Sequence, residues 1–101
     1  MNKVEIFKAL SNKTRLQILN MLREPDRYFP PQQAGDSAFG LGVCVGHIQQ
    51  KLGLSQSTVS EYLATLQRAG LITATRSGQW TYYKRDEAAI QRLGETIRQE
   101  L

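Results

Sequence analysis

Short polar side chains are concentrated in one segment of the chain, at residues 55–62. Apolar residues recur in and after this segment at Val59, Leu63 and Leu66, a spacing that places them on one face of an α-helix. The polar side chains then lie at the start of that helix, where they can form hydrogen bonds with base edges and phosphate oxygens. The candidate nucleic-acid contacts in this segment are Ser55, Gln56, Ser57, Thr58, Ser60, Glu61 and Tyr62.

A basic segment rich in strand-forming residues follows this helix. Residues 71–75 and 80–84 contain β-branched and aromatic side chains, and the residues between them favour a turn. We therefore predict a β-hairpin whose tip can reach phosphates or a minor groove. Its candidate contacts are Arg76, Ser77, Gly78 and Gln79.

A second helix must position the polar segment. Val45, Ile48 and Leu52 share one helical face, and Gly53 is suited to end that helix just before Ser55, which can cap the next one. The pattern indicates a helix-turn-helix followed by a basic wing. Residues 55–85 contain four Lys and Arg residues against one Glu. A solvated basic face without specific DNA binding is the alternative that charge alone leaves open.

In these elements the chain resembles the ArsR (ArsR/SmtB-like) family of small winged-helix bacterial repressors. The resemblance rests on residues 9–16 (ALSNKTRL), 53–60 (GLSQSTVS), 69–71 (AGL) and 78–83 (GQWTYY), in matching order and spacing. It implies an α+β, mainly α fold: a winged helix-turn-helix with about five helices and a two-stranded β-hairpin wing. It also implies a homodimeric repressor that binds double-stranded DNA at an inverted repeat and is released by a small effector.

The two ends of the chain supply candidate dimer contacts. Residues 2–10 and the residues that follow Asp86 are expected to form amphipathic helices, each with an apolar stripe. Either the stripes pack only on the chain's own core, or they pack on a second subunit, as the resemblance implies. The candidate dimer residues are Val4, Phe7, Ile90, Leu93 and Ile97.

Lys13 and Arg15 have two interpretations. Both lie in the first turn of a predicted helix, where a positive charge opposes the helix dipole. They are either phosphate contacts or solvated surface charges.

The expected sensory site is where the chain departs from the family. Many of the family's metal sensors carry a Cys-x-Cys-Asp run at the start of the first motif helix, but residues 43–47 read VCVGH. With one cysteine and one histidine in the chain, we expect no metal site and no cofactor, because soft metals need several thiolates and zinc needs about four ligands. Cys44 is either a small buried hydrophobe or a thiol near a helix N-terminus whose modification disturbs DNA binding.

Residues 25–42 are predicted to form a long loop, because they are rich in Pro, Gly and polar residues. Tyr28, Phe29 and Phe39 are apolar enough to anchor it. The loop is either an ordered segment, as a flap beside the first helix of the helix-turn-helix or as part of the dimer contact, or a tolerated, partly disordered insertion.

The remaining sequence features limit the class of protein. A length of 101 residues with 41% hydrophobic residues suits a single domain over residues 1–101. No apolar run approaches the roughly 20 residues of a membrane span, so we expect a cytoplasmic protein without a membrane partner. No catalytic constellation is recognisable, and we expect no enzyme. The alternative function is a winged-helix protein-interaction module without a sensory site.

Overall fold

The structure, a computed structural model, describes residues 2–30 and 40–101. Within these residues, helices and short strands follow one another in the order of a winged helix-turn-helix, which confirms the predicted mainly α fold. The elements are α1 (Lys3–Leu10), α2 (Lys13–Arg23), α3 (Pro25–Tyr28), β1 (Val43–Cys44), α4 (Val45–Leu52), α5 (Gln56–Arg68), β2 (Ile72–Ser77), β3 (Trp80–Arg85) and α6 (Glu87–Glu100).

Polar side chains determine where four of the helices begin. Asn2, Asn12, Ser55 and Asp86 each accept a hydrogen bond from the backbone N–H three residues later, at the starts of α1, α2, α5 and α6. The first-turn N–H groups of a helix have no partner within it, so each side-chain cap contributes about 1 kcal/mol. The predicted cap of the polar helix by Ser55 is therefore confirmed.

The loop predicted at residues 25–42 begins with a helix, α3. Pro25 favours a helix start because its fixed backbone angle suits the first turn, where a missing N–H costs nothing. Phe29, directly after α3, is buried in the core, as expected for an anchor. Residues 31–39, with the predicted anchor Phe39, lie outside the described residues.

The sheet has three strands in the order β1-β3-β2, where a two-stranded hairpin was expected. The added strand β1 pairs antiparallel with β3, so that Val43 is opposite Tyr83 and Cys44 is opposite Tyr82. A two-residue strand is too short to show the alternation that predicts strands from sequence. The hairpin itself pairs along its whole length, from Ile72 with Arg85 to Ser77 with Trp80.

The inner face of the hairpin packs on the apolar core. Opposed residues in an antiparallel ladder share one face of the sheet, so Ile72, Ala74 and Tyr83 are on the inner face. Burial raises the pKa of the Tyr83 phenol, because its anion would lose hydration there.

A single cluster of buried side chains joins the helices to the sheet. The predicted stripe of α5 is confirmed, since Val59, Leu63 and Leu66 are all 0% exposed. Ile18 of α2 and Ile48 of α4 are equally buried. Because burial of each such side chain contributes about 1.5–3 kcal/mol, the cluster holds α5 firmly in one orientation, with its polar face outward.

Candidate nucleic-acid interface

The turn between α4 and α5 sets the position of the polar helix. Gly53 has a left-handed backbone with φ of +68°, a conformation that a residue without a Cβ adopts easily. Its N–H donates to the Gln49 carbonyl at 2.9 Å, which ends α4. Ser55 then caps α5, accepting a hydrogen bond from the Thr58 N–H at 3.3 Å. These contacts confirm the predicted helix-turn-helix.

Most of the predicted contact residues on α5 are exposed. Thr58 is half-buried, and its Oγ1 accepts a hydrogen bond from the Ser55 hydroxyl at 2.9 Å. The side chains project where the unpaired N–H groups of the first turn create positive potential. We use the name reading surface for the exposed residues at this end of α5: Ser55, Gln56, Ser57, Ser60 and Glu61.

Tyr62 differs from its neighbours because it is half-buried beside α2. The Arg15 guanidinium lies over its ring, 5.6 Å from the centroid. Arg15 also donates to the carbonyl of Ala9 at 2.6 Å and to that of Lys8 at 3.0 Å. Because these carbonyls end α1, Arg15 joins α1, α2 and α5. This arrangement favours a structural role for Arg15 over the phosphate contact considered above. Lys13, in contrast, is exposed, and both of its interpretations stay open.

The four predicted residues of the wing tip are exposed. Gly78 has φ of +62°, which the tight turn requires, and Gln79 follows it before β3. Arg76 and Ser77 belong to β2 rather than to the turn, because they pair with Thr81 and Trp80. The Arg76 Nε donates to the Gly78 carbonyl at 3.3 Å, so the guanidinium is held against the turn.

The cations of the wing differ in their partners. Arg85, whose side chain is 13% exposed, forms two hydrogen bonds with the Glu87 carboxylate, at 2.8 and 2.9 Å. Lys84 donates to the Gly40 carbonyl at 3.5 Å, a contact that leaves its charge uncompensated. Arg76 likewise contacts only a neutral carbonyl in the interactions described. Arg76, at the tip, is therefore the best-placed cation for a phosphate.

Comparison with known proteins identifies the family. The model described as "Bacterial regulatory protein, arsR family" matches residues 43–74, which comprise β1, α4, α5 and the start of β2. The uncharacterized HTH-type transcriptional regulator YbzH of Bacillus subtilis is 54% identical to this chain, over all of both chains. The chain belongs to the ArsR family.

Two further comparisons extend over most of the chain. The transcriptional activator HlyU of Vibrio cholerae is 30% identical, with 93% of this chain and 72% of HlyU aligned. A solution structure of the homodimeric winged helix-turn-helix domain of Mb0332 from Mycobacterium bovis superimposes with a TM-score of 0.67. That alignment has 28% identity and covers 94% of this chain and 73% of the other. ArsR-family membership establishes a transcriptional regulator with a winged helix-turn-helix DNA-binding fold.

Cys44 lies where the sheet meets α4, the first helix of the helix-turn-helix. It is the last residue of β1 and the residue that precedes α4, and its side chain makes no capping hydrogen bond with that helix. The thiol is half-buried. In the described part of the chain, no group of three or more His, Cys, Asp or Glu side chains is arranged to hold a metal ion. Both interpretations of Cys44 are compatible with this position.

The candidate dimer residues fall into three groups by exposure. Val4 is 65% exposed and Ile97 43%, whereas Phe7 and Ile90 are half-buried against the core. Leu93 is only 7% exposed, because the inward face of α6 packs on the chain's own core. It is therefore not part of an outward apolar face, although it shares the stripe of Ile90 and Ile97.

Sequence patterning alone did not identify how the two terminal helices meet. An ion pair between Lys3 and Glu100 joins the start of α1 to the end of α6. Leu101, 80% exposed, lies beside this junction in sequence. We use the name terminal face for the exposed apolar residues Val4, Ile97 and Leu101. Among the described helices, none has both the length and the apolar character that a membrane crossing requires.

Proposed function

We propose that the protein is a homodimeric transcriptional repressor that binds an inverted-repeat operator through α5 and the wing. The observation that carries the proposal is the combination of the reading surface with Arg76 at the exposed wing tip. Hydroxyl and amide groups of the reading surface can read base edges, while the Arg76 cation at the wing tip binds phosphate or enters a minor groove. A cytoplasmic location is part of this proposal, because bacterial operators lie in the cytoplasm.

Glu61 distinguishes this reading surface from a purely basic one. A carboxylate is repelled by phosphates but accepts a hydrogen bond from the amino group of cytosine in the major groove. Glu61 is exposed on the second turn of α5, next to Ser60. We therefore propose that Glu61 contributes to base preference rather than to overall affinity.

The dimer part of the proposal rests on the terminal face. Exposed apolar side chains at the junction of α1 and α6 match what a second subunit would cover. The related Mb0332 domain is described as homodimeric. Two-fold symmetry would place two copies of α5 about 34 Å apart, one turn of B-DNA, and thus favours an inverted repeat.

The input to this regulator is a separate hypothesis. A small effector that displaces α4 would also displace α5, because only the short turn at residues 53–54 separates the two helices. Cys44, directly before α4, is the candidate for thiol chemistry. Cys44→Ser should then prevent oxidants or electrophiles from releasing the DNA. A Cys44→Ser protein that still releases DNA on oxidation contradicts this hypothesis.

Salt-dependent DNA binding tests the main proposal. Fluorescence anisotropy on duplex DNA from upstream of the gene should show affinity that falls steeply with salt, and a scrambled duplex should bind more weakly. Arg76→Ala should reduce the slope of log K against log salt by about 0.9, the value for one lost phosphate contact. Arg92→Ala, which removes the same charge from the exposed surface of α6, is the matched control.

A protein-interaction module is the second candidate, and one observation favours it. Trp80 on the wing is 54% exposed, and an exposed aromatic side chain is typical of protein interfaces. A flat salt response, or equal affinity for operator and scrambled DNA, would support this second candidate. Sequence-selective, salt-dependent binding would exclude it as the principal function.

A further inference from the structure

Trp80 lies at the far end of the wing, on its outer face. It pairs with Ser77 in the last rung of the hairpin, next to the turn at Gly78. Opposed residues share a face and alternate residues along a strand share a face, so Trp80 is on the side opposite to Ala74 and Tyr83. The indole therefore projects away from the core of its own subunit.

The exposure of Trp80 is unusual among the aromatic residues. At 54%, it is the single aromatic side chain among the large hydrophobic residues exposed in residues 2–30 and 40–101. An indole combines a broad apolar ring with one N–H donor. It is most stable where apolar groups cover the ring and an acceptor forms a hydrogen bond with the N–H. The wing offers no such cover, because Trp80 occupies its outer face beside the tip.

The charge around Trp80 indicates which partner provides that cover. Residues 71–85 contain no Asp or Glu, but they contain Arg76, Lys84 and Arg85. Arg85 is paired with Glu87. Lys84, on the same face of the hairpin as Trp80, and Arg76, on the opposite face near the tip, contact only neutral carbonyls in the interactions described. A polyanion complements this charge. Deoxyribose rings supply apolar surface next to phosphate oxygens, and the indole can pack on the former while its N–H donates to the latter.

We propose that Trp80 packs on the sugar-phosphate backbone of the DNA and positions the wing beside the groove that α5 reads. The proposal rests on the DNA-binding function proposed above and adds a contact outside the predicted set. Trp80 acts as a positioning residue in this arrangement. Because the backbone carries no base identity, the contact stabilises operator and non-operator complexes alike.

Intrinsic fluorescence tests the contact in the unmodified protein. Trp80 is the only tryptophan in the chain, so the emission excited at 295 nm comes from this position. Titration with an unlabelled 30-base-pair duplex of random sequence at low salt should quench this emission and reach saturation. Addition of salt should reverse the change, in parallel with dissociation measured by anisotropy. Emission that stays constant while anisotropy reports binding would overturn the proposal.

Substitutions separate a packing contact from a charge contact. Trp80→Ala should weaken binding roughly tenfold, the scale of one aromatic stacking contact, on operator and random duplexes alike. Trp80→Phe keeps an apolar ring and should retain most of the affinity. Neither variant should change the salt slope, because no charge is lost, whereas Arg76→Ala should reduce it. Unfolding midpoints equal to that of the wild type would show that the fold is intact.

The outcomes distinguish this proposal from the function on which it rests. A wild-type protein that binds no duplex contradicts the proposed DNA-binding function as a whole. DNA binding that is unaffected by Trp80→Ala contradicts only the contact proposed for Trp80. Loss of operator affinity with unchanged random-duplex affinity would also overturn it, because Trp80 would then contribute to base reading rather than to positioning.

Discussion

The reading surface and the terminal face are both exposed, but their chemistry is opposite. Side chains on the reading surface carry hydroxyl, amide and carboxylate groups, and the wing carries Arg76 near the end of β2. On the terminal face, Val4, Ile97 and Leu101 are apolar. Water forms hydrogen bonds with the polar groups of the reading surface but not with the apolar side chains of the terminal face. Association that buries this apolar area is favourable by about 25 cal/mol per Å².

Exposure alone therefore does not identify a partner, whereas the chemistry of the exposed atoms does. A surface of hydrogen-bonding groups with nearby cations matches a polyanion with readable base edges. An apolar surface at the junction of two helices matches a copy of itself, because two-fold symmetry places like against like. On this basis, we propose that one face binds DNA and the other binds the second subunit.

The largest expected effect comes from a charge placed in the terminal face. Ile97→Asp should weaken self-association at least about 100-fold, the scale of an interface hot spot, because the carboxylate would lose its hydration against the second subunit. Sedimentation equilibrium measures the dimer dissociation constant. Affinity for an inverted-repeat duplex should fall with it, while the affinity of one monomer for a half-site should persist.

Gln99→Asp is the matched control for Ile97→Asp. It introduces the same charge two residues later, at an exposed position on α6 that points away from Ile97. We expect this variant to associate like the wild type. Equal loss of association in both variants would show that charge on α6, rather than the terminal face, controls the dimer.

A smaller effect, on the free energy of unfolding, is expected for Gly94→Ala, and its sign should depend on whether the protein is monomeric or dimeric. This glycine lies in the middle of α6, on the same side as Ile90 and Ile97, and a Cβ there would meet no atom within 4 Å in its own subunit. In the monomeric Ile97→Asp background, Gly94→Ala should therefore stabilise the fold by about 0.8–1.0 kcal/mol through helix propensity alone. Urea denaturation measures this difference.

In the dimeric wild type, the same Gly94→Ala substitution should stabilise the fold less, or destabilise it. Close approach of a second α6 at Gly94 would make an added methyl group clash, and the comparison of backgrounds isolates this coupling. An equal gain in both backgrounds would mean that the two α6 helices do not meet at Gly94, even if the dimer exists.

On the reading surface, the expected effect is on selectivity, with the smallest change in overall affinity for DNA. Gln56→Ala should reduce the preference for operator over scrambled DNA by about 1–3 kcal/mol if the amide is bidentate to adenine, with little change in non-specific affinity. Gln67→Ala, exposed near the other end of α5, is the control and should leave the preference unchanged. A uniform loss on both duplexes would instead indicate a phosphate contact for Gln56.

The reading surface could be predicted from sequence because its determinants are local. The Ser55 cap, the stripe from Val59 to Leu66 and the turn at Gly53 act over a few residues, and the structure has them as expected. The hairpin followed equally from composition, although the boundary at Arg76 was wrong, because pairing with Thr81 continues the strand toward the tip.

Features that depend on distant partners could not be predicted in this way. β1 exists only because β3 lies beside it, and two residues give no periodic pattern. The role of Arg15 depends on the carbonyl groups at the end of α1, which a helical pattern does not locate. Leu93 follows the same spacing as Ile97, but the turn of α6 directs one side chain inward and the other outward.

The two-residue strand β1 has a mechanical consequence. Its pairing with β3 holds the wing, and α4 begins at the next residue and leads through a tight turn to α5. The wing and α4 are thus both connected to β1, while α5 also contacts β2 directly. A slip of one residue in that ladder would exchange the faces of Val43 and Cys44, moving a valine toward water and a thiol into the core. Such a slip would affect the wing and the start of α4 together, because β1 pairs with a strand of the wing and leads directly into α4.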